Sequence, residues 1–261
     1  MKKYLRNIGI VFCVICTMQA CKEEPQDRKF INPVSFLLPA GYDTSDVDIF
    51  AIFAKSTDNN SYISSDYDQS FTIYISDGND LINCDSVLFG GTLLENMLES
   101  DDQSLLDGQY SSDDNVNFTS NELKLLNFLS SNFTIQLEPV NYLILNNFML
   151  ADTVSKANGF YTSVTGSLAN PIVYVDIVAS EIHSEMIINK DSITYNTRHL
   201  GFELPNNGTI NLSSSQLSEL TPNRYYFVSV KTNNYKTYMV GNHKMGVYYE
   251  NINRTLIYLS N

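Results

Sequence analysis

Apolar positions along this chain come in short runs that alternate with polar ones, and Asn, Asp, Gly and Pro punctuate the runs. A period of two is what a β-strand with one buried face requires, because successive side chains point to opposite sides of the sheet. Strands are predicted over 33–38, 47–54, 71–75, 116–119, 133–137 and 142–145 in the first half. In the second half they are predicted over 172–178, 185–188, 192–195, 209–212, 225–230, 236–240, 246–249 and 255–259. Many short strands at this spacing predict an all-β protein of the β-sandwich class.

Two stretches of the pattern recur. Leu81-Ile82-Asn83-Cys84-Asp85-Ser86-Val87-Leu88-Phe89 reads against Ile187-Ile188-Asn189-Lys190-Asp191-Ser192-Ile193-Thr194-Tyr195. Each reads as strand, Asn-x-Asp turn, strand. Further on, residues 116–123 read against 210–217, each as a strand entering one helical turn. Thr119 with Glu122, and Ser213 with Gln216, have the spacing of a capping box. Two matches in the same order predict two related domains, 30–147 and 148–261. The stretch between the matches is longer in the first copy. Leu94, Met97 and Leu98 share one helical face there, so a short amphipathic helix is expected as an insertion around 91–108. Insertions of this kind sit on surface loops, where binding residues also accumulate.

The first twenty residues break the pattern. Lys2, Lys3 and Arg6 precede a short apolar run, 8–16, which is too short to span a bilayer as a helix and fits the core of a signal peptide. Thr17-Met18-Gln19-Ala20-Cys21 resembles the lipobox of bacterial lipoproteins, with Met18 where Leu is usual. The resemblance implies cleavage after residue 20 and acylation of Cys21, so that the mature chain is held on a membrane by several acyl chains. The alternative is an ordinary secretory signal with an incidental cysteine. Lys22-Glu23-Glu24 behind Cys21 resembles the surface-export signal of lipoproteins in the Bacteroidota, and implies the outer face of the outer membrane. Residues 21–29 also have the composition of a solvated flexible tether.

Composition narrows the partners. The formal charge of −13 becomes −16 once Lys2, Lys3 and Arg6 leave with the signal. Such a chain is repelled by nucleic acid, so no nucleic-acid partner is expected. Cys13 and Cys16 leave as well and Cys21 is lipidated. Cys84 then has no partner for an intramolecular disulfide and reads as a small buried hydrophobe.

In the second half, Leu220-Thr221-Pro222-Asn223-Arg224-Tyr225-Tyr226-Phe227-Val228-Ser229-Val230 resembles the fibronectin type III pattern Leu-x-Pro-x-x-x-Tyr-x-Val-x-Val. The resemblance implies a tyrosine corner, with the Tyr226 hydroxyl returned to the backbone just upstream and its ring in the core. It covers one corner and one strand, and the usual tryptophan is missing. The expected architecture is two tandem immunoglobulin-like β-sandwiches, the second fibronectin-like.

Catalytic constellations are sparse. There is no Gly-x-Ser-x-Gly elbow, His-Glu-x-x-His, Walker loop or Gly-x-Gly-x-x-Gly. His183, His199 and His243 lack metal-ligand spacing and read as structural or exposed. Asp77-Gly78-Asn79-Asp80 and Ser100-Asp101-Asp102 gather oxygen ligands suited to calcium, but turns use the same residues and neither has EF-hand spacing. No catalytic residue, cofactor or metal is therefore assigned. Tyr225, Tyr226, Tyr235, Tyr238, Tyr248, Tyr249 and Tyr258 crowd the C-terminus. Tyrosines enrich recognition surfaces, yet adjacent ones on a strand must face opposite sides. Asp85-Ser86-Val87, Asp152-Thr153-Val154 and Asp191-Ser192-Ile193 resemble the Bacteroidota O-glycosylation sequon, and turn chemistry accounts for them equally well. The reading is a non-enzymatic cell-surface lipoprotein for binding or adhesion, anchored in the membrane through Cys21 and facing a protein or glycan partner. The alternative is a structural or accessory subunit of a fimbrial or outer-membrane complex, joined by strand addition. A glycan hydrolase comes third.

Overall fold

The computed structural model describes residues 47–59, 66–76, 82–96, 108–112, 118–146, 152–167, 169–179, 186–189, 192–195 and 199–261. These residues are all β, with no helix among them. The organising element is a long hairpin of β17 (Arg224–Val240) and β18 (His243–Ser260), paired without interruption from Arg224↔Leu259 to Val240↔His243. At about 3.4 Å per residue it runs roughly 55 Å, far longer than one ordinary sandwich needs. Gly241, at φ +62°, makes the two-residue reversal between the strands, a conformation that suits glycine.

The hairpin lies at the centre of a nine-stranded sheet. On its β17 side lie β12 (Ile172–Ala179) and then β15 (His199–Pro205). On its β18 side lie β1 (Ile49–Asn59), β2 (Asp66–Ile75), β6 (Gln109–Ser111) and β5 (Glu95–Asn96). β1 pairs parallel with β18 from Met245 to Thr255, and β10 (Asp152–Ser155) continues along the same edge from Ile257 to Ser260. Two smaller sheets complete the cores. One runs β4 (Thr92–Leu93), β3 (Ser86–Phe89), β7 (Glu122–Phe128), β8 (Ser131–Gln136); the other runs β16 (Thr209–Leu212), β11 (Phe160–Thr165), β9 (Ile144–Asn146). A separate hairpin joins β13 (Met186–Asn189) to β14 (Ser192–Tyr195).

Two hydrophobic cores result, which gives the molecule its β-sandwich-like character. The first is aromatic: Phe53, Phe71 and Phe89 are fully buried, with the Phe71 and Phe89 rings stacked 4.0 Å apart and Phe53 edge-on to Phe89 at 5.0 Å. Each such ring contributes roughly 1.5–3 kcal/mol by burial. The second core is mainly aliphatic, built from Val173, Val175, Ile177, Val228, Val230 and Ile257 against Phe160, Ile210 and Leu212. Val240, Met245, Val247 and Tyr249, from the hairpin's turn end, belong to the first core although they follow residue 147 in the chain. The inward face of β18 reads Met245, Val247, Tyr249, then Asn251, Asn253, Thr255, then Ile257, Leu259, all buried. Apolar ends serve the two cores, and the polar middle lies where the chain crosses between them. Leu143 N–H donates to Asn251 Oδ1 at 3.0 Å, and Asn253 Nδ2 donates to Leu143 O at 2.9 Å.

Three expectations need correcting. Around the expected helical insertion, Thr92–Leu93 and Glu95–Asn96 are strands, and Leu94 between them is buried in the first core; Met97 and Leu98 lie outside the described residues. Burial of Leu94 together with ladder pairing to β3 and β6 outweighs the helical periodicity there. Thr119 and Glu122 form no capping box. Thr119 Oγ1 donates to Gly90 O at 2.7 Å, and Glu122 opens strand β7. Ser213 and Gln216 do have the reciprocal geometry: Ser213 N–H donates to Gln216 Oε1 at 2.9 Å and Gln216 N–H to Ser213 Oγ at 3.4 Å, within a turn rather than a helix. The two matched stretches also differ in structure. Residues 187–189 and 192–195 pair as β13 and β14, whereas among the described residues of the first copy, 82–89, only Ser86–Phe89 is strand.

Candidate functional site

Strand alternation places Ile49, Ala51 and Phe53 of β1 in the first core, so Ala54 and Ser56 face the other side of the large sheet. Register sets their neighbours. Ala54 lies opposite Ser70 and Ser56 opposite Asp68 on β2, while Ser56 neighbours Ile252 and Asp58 neighbours Arg254 on β18. Small residues on the adjacent strands β1 and β2 make a floor, with larger Asp68 of β2 and Ile252 and Arg254 of β18 as walls. The result is a groove of ≈ 390 Å³ lined by residues 54–56, 68–70, 252 and 254. Arg254 is exposed, Asp68 is half-buried, and neither is held in an ion pair among the described residues. The groove therefore offers a carboxylate, a guanidinium and two hydroxyls over an otherwise narrow apolar floor. That inventory can hydrogen-bond a polyhydroxylated or polar ligand.

The same outward face is aromatic toward the start of β1. Phe50, Tyr248 and Val47 form a buried cluster with Ile52, Tyr74 and Tyr235 against it, and Phe50 stacks on Tyr74 at 6.4 Å. Tyr235 lies over Gly246, where any Cβ would come within 2.2 Å of its hydroxyl oxygen.

On the opposite face, where the chain crosses between the cores, Lys55, Tyr67 and Tyr142 meet. The Lys55 ammonium sits 4.8 Å from the Tyr142 ring centre and 5.5 Å from that of Phe53, a cation–π arrangement. Burial lowers the Lys55 pKa from its ordinary value. Tyr67 is 53% exposed and packs edge-on to Tyr142 at 5.0 Å, presenting ring surface to solvent. Burial, then Asp68 and Tyr67, raise the Tyr142 hydroxyl.

Residues singled out from sequence fall elsewhere. Cys21 and His183 lie outside the described residues, as do residues 77–80 and 100–102. The Tyr226 ring is buried in the second core beside Leu220, and its hydroxyl accepts from Thr221 N–H at 2.9 Å and donates to Thr221 O at 3.0 Å. Pro222, half-buried, follows that clamped residue. Cys84 is buried and free, and burial followed by the nearby Asp85 pushes its thiol up to about 11. His199 pairs with Asp176 at 3.0 Å and His243 with Asp48 at 3.1 Å; neither histidine lines the groove. Among the described residues no three His, Cys, Asp or Glu side chains converge as metal ligands. Of the C-terminal tyrosines, Tyr238 and Tyr249 share a 2.6 Å hydroxyl–hydroxyl bond inside the first core, and Tyr225 packs on Tyr258 at 5.1 Å. Tyr248 and Tyr249 do face opposite sides of the sheet. The groove residues Ser56, Asp68, Ser70 and Arg254 carry no motif, since three strands contribute them one or two at a time.

The fold defines an all-β protein of β-sandwich-like build with a polar groove on the outer face of its large sheet. No protein-family model matches the chain, and no curated protein matches it.

Proposed function

We propose that this is a non-enzymatic lipoprotein, tethered through Cys21 to the outer membrane and exposed at the cell surface, that binds a protein or glycan ligand. In this reading its two cores are tandem immunoglobulin-like sandwiches, the second fibronectin-like at the Tyr226 corner. The groove on β1, β2 and β18 carries the proposal. It groups Asp68, Arg254, Ser56 and Ser70 on a rigid central part of the sheet, free of the ion pairs that would occupy them. Binding sites work best on such rigid elements. The groove lining combines the Asp68 carboxylate and the Arg254 guanidinium with the Ser56 and Ser70 hydroxyls, groups that suit hydrogen-bonded recognition.

The test is an array of glycans and extracellular proteins probed with the detergent-solubilised, full-length protein, followed by product analysis of every bound glycan. The reading expects saturable binding with no turnover. Cleavage of a bound glycan would replace it with a hydrolase. Silence on the arrays, combined with a stoichiometric partner in native membranes, would transfer the protein to the structural-subunit reading.

A further inference from the structure

The crossing between the two cores carries more polar groups than it satisfies. Thr57 is 2% exposed, and Asn253 and Thr255 are wholly buried. Register places Thr57 directly beside Asn253 across the parallel β1–β18 pair, with Thr255 the next residue on the same face of β18. Thr57 Oγ1, Asn253 Oδ1 and Thr255 Oγ1 find no hydrogen-bond partner among the described residues, including one another. The amide orientation of Asn253 is fixed, because its Nδ2 donates to Leu143 O at 2.9 Å, so the unsatisfied atom is an acceptor. Leaving one such oxygen bare is costly, and three together on one face call for a shared partner.

We infer that this cluster is an internal hydration site, in which one ordered water bridges Thr57, Asn253 and Thr255. Thr57 and Asn253 are paired neighbours and Thr255 follows on the same face, so one small guest bonded to all three is the simplest shared partner. Each of the three oxygens then gains one partner. The water donates one hydrogen to Asn253 Oδ1 and the other to one threonine oxygen, and accepts the hydroxyl hydrogen of the second threonine. That is the three-bond environment usual for buried water. Val228 and Val230 of β17 lie opposite Thr255 and Asn253, so the site is walled by apolar side chains and suits an uncharged guest better than an ion. With the Asn251 bonds to the crossing segment, the water makes the joint between the cores a connected polar network.

A crystal structure of the protein at a resolution that shows solvent is the direct test. Density within hydrogen-bond reach of all three oxygens is expected, and a dry site overturns the inference. Thr255→Val gives an independent readout that keeps shape while removing one bond. A bridged hydroxyl predicts a lower urea midpoint for the variant. An unchanged or raised midpoint, as for removal of a bare buried hydroxyl, overturns it.

Discussion

Two tyrosine hydroxyls clamp the backbone in the same manner at distant points of the chain. Tyr226 closes on Thr221, and Tyr110 closes on Cys84, accepting from its N–H at 2.6 Å and donating to its carbonyl at 2.8 Å. Replacing either by Phe keeps the ring and strands a backbone donor and acceptor. Tyr226→Phe and Tyr110→Phe should each lower unfolding free energy by about 1–3 kcal/mol. Urea titration checks this, with the larger loss expected for Tyr110, whose bonds to Cys84 are buried where those of Tyr226 are only partly so. The thiol beside that clamp makes a pH-dependent prediction. Its pKa in the folded protein stands near 11 against an ordinary 9.0, so the stabilisation it represents is present below about 9 and is lost as pH rises through about 11. Iodoacetamide at pH 8 should therefore leave Cys84 unmodified in native protein and alkylate it in urea; comparable rates in both would contradict the buried, protonated thiol. Cys21 makes the remaining prediction at this scale. Cells fed labelled palmitate should incorporate it into the protein, and Cys21→Ala should abolish the incorporation.

At the level of elements, the crossing between the cores depends on Asn251 and Gly166. Asn251 accepts from Leu143 N–H and donates to the carbonyls of Asn141 and Gly166. Gly166 has φ +79°, and a Cβ there would lie 2.0 Å from Tyr142 O. Gly166→Ala should cost about 1–3 kcal/mol from backbone strain alone, with displacement of the crossing segment added to it. Asn251→Ala should cost roughly 2–3 kcal/mol, because the buried Leu143 N–H loses its acceptor. Both are read from urea midpoints. The same crossing explains what sequence pattern conveys and what it omits. Alternation locates β1, β2, β8, β9, β12 and β16, and misses β10 and β11, whose Val154, Phe160 and Val164 lie in the second core. It divides β17 into 225–230 and 236–240, and β18 into 246–249 and 255–259, because Thr232, Asn233, Asn251 and Asn253 interrupt the apolar rhythm while remaining buried. A buried polar position looks like a turn until its partners are known, and those partners lie about a hundred residues away. β7 was hidden for a related reason: Thr119 and Glu122 have capping-box spacing, and only pairing with β3 and β8 makes the segment a strand. The Tyr226 corner was legible because all its groups lie within five residues. The groove was not, because its hydrogen-bonding groups come from positions 56, 68, 70 and 254.

At the scale of the molecule, the two large cores among the described residues share one hairpin. β17 and β18 supply inward side chains to both, so the chain ends cannot be trimmed back to residue 240 without stripping Met245, Val247 and Tyr249 from the first core and Ile257 and Leu259 from the second. This couples the cores into one body that presents the groove, near the hairpin's middle, as a fixed surface. On the proposed function, this surface is where the ligand binds. Titration calorimetry with the strongest array ligand, comparing wild type with Ser70→Trp, tests it most directly. An indole at position 70 fills the floor of the groove from the solvent side without entering either core. At least a tenfold loss of affinity is predicted, about 1.4 kcal/mol, with the circular dichroism spectrum and urea midpoint retained. Undiminished affinity in a folded Ser70→Trp protein would contradict the account.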